Sequence, residues 1–221
     1  MKRIQLITLA ALAVLVMTAC GSSSERAAQV VERLEPGEIP AGSMPYAIIP
    51  AQSSVAWEGS KVTGKHDGTI GIQSGTIYVY EGYLVGGTVY MDMENLVVLD
   101  IENPETNARL TGHLKSDDFF SVATHPVATF EFLKFEKLDE PDNKGNNYEV
   151  TGNLTIKGIT HTIAFNANIH EHGNQIHALA DFDLDRTMWD VRFRSGRFYE
   201  NLGDNLIHDH FNMKLDVTAT R

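Results

Sequence analysis

Apolar and polar residues alternate with a period of two along most of this chain, and no other feature restricts its fold as strongly. Val55 and Trp57 stand against Ser54, Ala56 and Glu58, and Ile70 falls in the next run. Val85, Val89, Met91 and Met93 share one parity, as do Phe130 and Phe132 within 127–136. Val150, Gly152, Leu154 and Ile156 alternate with Thr151, Asn153 and Thr155. Ile163, Phe165, Ala167 and Ile169 follow, then Ile176, Ala178, Ala180, Phe182 and Leu184. Phe211, Met213, Leu215 and Val217 close the pattern against Asn212, Lys214, Asp216 and Thr218. Period two sends successive side chains to opposite faces, so each run is a strand with one buried and one wet face. Asp67-Gly68, Ser74-Gly75, Glu81-Gly82, 143–147, Lys157-Gly158 and His172-Gly173-Asn174 supply turns between runs. Short connections make antiparallel neighbours. Two places read as helix: 103–121, which opens Asn-Pro and carries Ala108, Leu110, Leu114 and Phe119, and a short turn at 199–205. The expected class is all-β, with about eight antiparallel strands in a sandwich or closed barrel. A barrel of that size has room for its own side chains or one small ligand.

The N-terminus has a different grammar. Met1-Lys2-Arg3 precedes an uncharged apolar run from Ile4 to Ala19, which ends Val16-Met17-Thr18-Ala19-Cys20. A basic start followed by an apolar stretch is a secretory signal, and the run is shorter than the roughly 20 residues a bilayer core demands. Small residues before the cysteine resemble the lipobox of bacterial lipoproteins, with Met17 where leucine is usual. That resemblance implies cleavage after residue 19 and lipid on Cys20: diacylglycerol and an N-acyl chain such as palmitate. Gly21 in place of aspartate favours sorting to the outer membrane, facing the periplasm. Cys20 is the only cysteine, so the domain forms no internal disulfide. Residues 20–45 are small and polar, with Pro36, Pro40 and Pro45, and read as a flexible tether in which Ala27 to Leu34 has room for two helical turns. Residues 46–221 suit one domain. The net charge of −11 repels nucleic acid and offers no basic face to anionic lipid. Membrane contact is therefore expected through Cys20.

Several stretches resemble the YceI-like family. They are SSVAWEGSKVTGKHDG at 53–68, LTGHLKSDDFF at 110–120 followed by HPVATF at 125–130, GNLTIKGIT at 152–160, and DRT at 185–187 with FNMKLDVT at 211–218. The likeness runs over about 46–220. It implies a lipocalin-like, eight-stranded antiparallel barrel that holds a polyisoprenoid or quinone-like lipid. The inward residues then become the candidate ligand contacts: Val55, Trp57, Ile70, Val85, Val89, Met91, Phe130, Phe132, Leu154, Ile156, Ile163, Phe165, Ile176, Phe182, Leu184, Phe211, Met213 and Leu215. Gly87, Gly152, Ala178 and Ala180 would leave volume on that face, or relieve strain where strands bend.

Polar candidates are fewer. Arg186, Arg192, Arg194 and Arg197 cluster in an acidic chain. They suit either a cationic seat for a lipid head group or simple pairing with the aspartates around them. His170-x-His172 and His208-x-His210 have a spacing that can chelate zinc, yet both pairs alternate with apolar residues and so fall on wet faces. No nucleophile elbow, phosphate loop or His-Glu-x-x-His helix is present. The expected function is binding, storage or transport of an isoprenoid lipid, without a cofactor, metal or catalytic role, and as monomer or dimer. Two other readings stay open: a filled barrel that docks an envelope partner, and a metal-assisted enzyme built on the histidine pairs.

Overall fold

The computed structural model describes residues 27–221; Cys20 and the apolar run before it lie outside them. Eight strands close a ring. They are β3 (Ser54–Lys61), β4 (Gly64–Tyr80), β5 (Tyr83–Val98), β6 (Val127–Lys137), β7 (Tyr148–Ile156), β8 (Ile159–His172), β9 (Gln175–Asp185) and β10 (His210–Thr220). Each pairs antiparallel with the next, and β10 pairs with β3. Four connections are two residues long: Val62-Thr63 and the turns that Glu81-Gly82, Lys157-Gly158 and Gly173-Asn174 announce, with Glu81 and Lys157 at positive φ, whereas Asp67-Gly68 and Ser74-Gly75 lie within β4 and make no turn. The end carrying the β3–β4 and β7–β8 turns is here the lower end; the β4–β5 and β8–β9 turns mark the upper end.

β3 covers only the lower half of β4. The upper half is covered by β2 (Met44–Ile48), which pairs with Thr76–Val79 on one side and Ala219–Thr220 on the other. A 3-10 turn at Pro50–Gln52 joins the two, so β2 and β3 in series occupy one position of the ring.

A second irregularity lies between β8 and β9. They pair only from Ala167/Ala180 up to His172/Gln175, and below that they part. The gap is filled by β1 (Gln29–Glu32), which pairs antiparallel with His161–Ala164, while Ala28 N–H donates to Asp183 O. The chain then crosses the outside of the barrel as a strap. Leu34 N–H donates to Thr162 Oγ1, and Leu34 O accepts from Asn153 Nδ2. Thr162 Oγ1 in turn donates to Asn153 Oδ1 at 2.6 Å. Both polar side chains are buried, and each has its partners, which is the condition for tolerating them there. Ala27 to Leu34 is therefore strand and strap, not helix, and from residue 27 the expected tether lies against the barrel. Its edge bonds explain why: two parted strands expose N–H and C=O groups that a third strand satisfies.

The helix α1 (Pro104–Lys115) closes the lower end. Asn103 caps it, its Oδ1 accepting from Thr106 N–H, and proline occupies the first turn, where a missing N–H costs nothing. It stops at Lys115, short of residue 121; Phe119 and Val122 are buried from the turns that follow. The expected second helical turn is a 3-10 turn at Gly203–Asn205. Another 3-10 turn, Arg186–Trp189, brings Trp189 fully inside, where its Nε1 donates to Leu154 O.

Candidate functional site

Inside the ring run two apolar chambers, one above the other. The upper takes residues from every strand of the ring, including Val55, Ile77, Val89, Phe130, Val150, Phe165, Ile176, Phe182 and Leu215. Space free of atoms within it and its mouth comes to about 890 Å³, but only about 100 Å³ is wide enough for the centre of a water-sized sphere. The lower chamber, about 110 Å³ on the same measure, adds the lid: Leu114 of α1, Phe119, Phe120, Arg186, Val191, Ile207 and His208. Met91, Leu154, Leu184 and Met213 border both. They form a waist, two of whose side chains are flexible thioethers that repack readily.

Nearly every candidate contact lies here. Val55, Val89, Phe130, Phe132, Ile163, Phe165, Ile176, Phe182 and Leu215 line the upper chamber, and Trp57, Ile70, Ile156 and Phe211 the lower. Val85 does not. Val79 faces Leu84 and Tyr78 faces Gly86, so Val85 is the extra residue of a bulge, and Leu84 takes the inward place.

The glycines also act differently from expectation. A Cβ on Gly152 would sit 2.3 Å from Phe130 Cζ, so the aromatic ring occupies the space the glycine vacates. A Cβ on Gly87 would meet Thr76 O at 2.1 Å; this residue lets β4 and β5 close up and opens no lumen. Ala178 and Ala180 do line the upper chamber. Phe132 stacks on Phe135, Phe130 meets Phe132 edge-on, and Phe165 stacks on Phe182 with centroids 4.1 Å apart. Phe165 and Phe182 thus face each other just below the point where β8 and β9 part.

The arginines do not converge. Arg192 pairs with Asp190 and lies over the Phe198 ring, and Arg194 lies over Phe193. Arg197 pairs with Asp185 at 3.0 Å and donates to Thr187 Oγ1. All three sit on the outer surface of the lid. Arg186 is the exception: 5% exposed, it donates to His208 O, Val191 O and Ile207 O, and reaches Asp209 at 3.4 Å. Burial lowers its pKa from the ordinary guanidinium value, and Asp209 and Asp185 push it back up. Arg186 ties the lid segments 186–191 and 207–209 together. His170, His172, His208 and His210 are all exposed, with His208 Nδ1 on Ser60 Oγ. Among the described residues no three of His, Cys, Asp and Glu come together as a metal site.

Residues 46–219 match the family model described as the YceI-like domain. The chain belongs to the YceI-like family. A UPF0312 protein of Pectobacterium atrosepticum is 33% identical over 79 residues, 35% of this chain and 38% of that protein. One from Yersinia pestis is 34% identical over the same length. These matches span little more than a third of the curated relatives. Among solved structures, Burkholderia cenocepacia BcnA superposes with a TM-score of 0.60 at 18% identity, over 78% of this chain and 99% of that one. A polyisoprenoid binding domain from Saccharophagus degradans does so with a TM-score of 0.57 at 13% identity, over 79% and 97%. At these identities the likeness is one of fold: this YceI-like chain and both neighbours share the barrel.

Proposed function

We propose that this YceI-like protein binds an isoprenoid lipid inside its barrel and stores or carries it within the cell envelope. The observation that carries this is the pair of apolar chambers stacked inside the ring, which share Met91, Leu154, Leu184 and Met213 in their walls. Their narrow bore suits a thin, flexible chain better than a compact ligand. Burying one five-carbon unit contributes roughly 3 kcal/mol, so a few units suffice for tight binding without polar contacts. The Saccharophagus neighbour is a polyisoprenoid binding domain, which supports the same reading for this chain. Acylation of Cys20 is part of the proposal: it would hold the barrel at the outer membrane, facing the periplasm, where a water-insoluble cargo has to be collected or delivered.

The test is native purification, organic extraction and mass spectrometry, followed by reloading of the stripped protein. A co-purifying polyprenol or prenylated quinone is the expected result. Stripped, folded protein that takes up neither would end the proposal. Cys20→Ser should release the protein from membranes; retention at wild-type level would remove the anchor. The aromatic filling of the upper chamber favours a second reading, a barrel packed by its own phenylalanines that docks a partner. A stripped protein that stays empty while retaining full stability would support it.

A further inference from the structure

β1 is a short stave in the barrel wall. Its residues alternate as the ring strands do: Ala28 and Val30 pack against the core, while Gln29 and Val31 face solvent. It makes four rungs with β8, where β7 makes nine. On its other side it reaches β9 through the Ala28–Asp183 bond. With one strand between them, β8 and β9 stand about 10 Å apart there, twice the spacing of paired strands. Just above the stave, an outer cleft bordered by Ala27, Gln29 and Asp181 reaches Phe165 and Phe182, and the same two residues line the upper chamber. The wall between solvent and lumen is thin at this place. Lifting β1 away would leave the ring closed, because β8 and β9 keep their six rungs from Ala167–Ala180 to His172–Gln175. The backbone groups released on His161–Ala164 and on Asp183 would open to water, which satisfies them. The loss is four rungs and the cover of two half-buried side chains, so this opening is far less costly than parting two ring strands.

Resting on the lipid-binding reading above, we propose that β1 is a side door: it swings off β8 and Asp183, and the isoprenoid chain enters and leaves the upper chamber through the slot between β8 and β9. A slot that admits one strand admits one extended apolar chain. Ala28 and Val30 are the bolt. Phe165 and Phe182, stacked behind the cleft, are the inner leaves. Leu34, held by Thr162 Oγ1 and Asn153 Nδ2, is the hinge. The lower end is no alternative way in, since α1 and the segments that Arg186 ties together close it. The rival route is the mouth of the upper chamber. A door of this kind sets rates and leaves affinity alone, because the bound state is the same whichever way the chain arrived.

The experiment bolts the door with a disulfide. Cys20 is the only cysteine, so in the full chain carrying Cys20→Ser the pair Gln29→Cys and Ala164→Cys, opposite each other on β1 and β8, supplies every thiol. Reduced protein is loaded with tritiated geranylgeraniol, half of it is oxidised, and closure is checked by loss of free thiol. Transfer of the label to phosphatidylcholine vesicles is then timed. Oxidised protein should release the label at least about tenfold more slowly than reduced protein, and dithiothreitol should restore the rate. Reduced protein should match the Cys20→Ser parent within about twofold. Where the disulfide does not close, Val30→Ala decides: it thins the bolt and should speed transfer about threefold or more without lowering affinity by as much. Label that leaves at one rate whether the door is bolted or free, or an unchanged rate in Val30→Ala, overturns the side door alone and assigns the traffic to the mouth. Folded protein that takes up no geranylgeraniol in any form overturns lipid binding and the door with it.

Discussion

The two chambers are nearly equal in bore, yet they are built from different material. The upper one is walled by ring strands alone and has no polar lining side chain. The lower one is closed by α1 and by the aperiodic stretch between β9 and β10, and Arg186, which ties that stretch together, is among the residues around it. A wall of strands reads only length and greasiness. A lid made of loops, free of the period-two rule, is where a polar group can be aimed inward.

That contrast breaks most visibly at Arg186. Arg186→Met strips donors from three carbonyls, Val191 O fully buried among them, and should cost about 3–5 kcal/mol in urea unfolding. Arg192→Met, at an exposed pair on the same lid, should cost less than about 1 kcal/mol. Equal losses would mean the lid is not held from inside. In the upper chamber, Phe182→Ala removes the ring stacked on Phe165 and should cost about 3–4 kcal/mol. Because it widens the bore, hydrocarbon uptake should survive at a temperature where the variant is folded; loss of uptake there would make the ring a contact and not a filler.

Gly152→Ala is the sharper instrument. Its new methyl displaces Phe130 at a cost of about 1–3 kcal/mol. Affinity for a prenyl hydrocarbon, read by displacement of a fluorescent lipid probe, should fall. Unchanged affinity and stability would show that Phe130 gives way freely. The smallest effect is expected at Asp142, outside both chambers. Burial raises its pKa, but hydrogen bonds from Asn146 and Asn166 and from the backbone outweigh that and hold it at about 2. A depressed carboxylate stabilises the fold fully above the ordinary aspartate range, about pH 4. That contribution fades as pH falls toward 2. Melting curves should therefore separate wild type from Asp142→Asn at pH 6 and bring them together near pH 2.

Much of the upper chamber was legible because its walls obey one rule. Parity along β6 to β10 places Phe130, Phe165, Phe182 and Leu215 correctly. It fails at Val85, where a bulge shifts the phase by one residue and no local signal beyond Gly86-Gly87 marks the slip. Gly152 misleads for a related reason: parity puts it inward, but parity says nothing about a neighbouring ring lying across it. The lid was the poorest read. Val191 and Ile207 sit in segments without period, and Arg186 reads as one of four clustered arginines, a head-group seat or partners for aspartates, because spacing along the chain cannot tell an arginine that turns in from three that turn out. The strap was missed because Gln29–Glu32 is too short to show alternation, and its pairing depends on a gap between β8 and β9 that forms elsewhere in the chain.

The strap gives the molecule a defined point of mechanical load. Seven peptide steps separate Cys20 from Ala27, a reach of at most about 25 Å. Were Cys20 acylated as proposed, a tug on the lipid would arrive first at the Ala28–Asp183 bond and then at the Gln29–Ala164 rung. Bonds met one after another peel like a zipper, at far lower force than bonds sheared together. The strap is sewn into the seam between β8 and β9, below the rung Ala167–Ala180, where those two strands do not pair with each other.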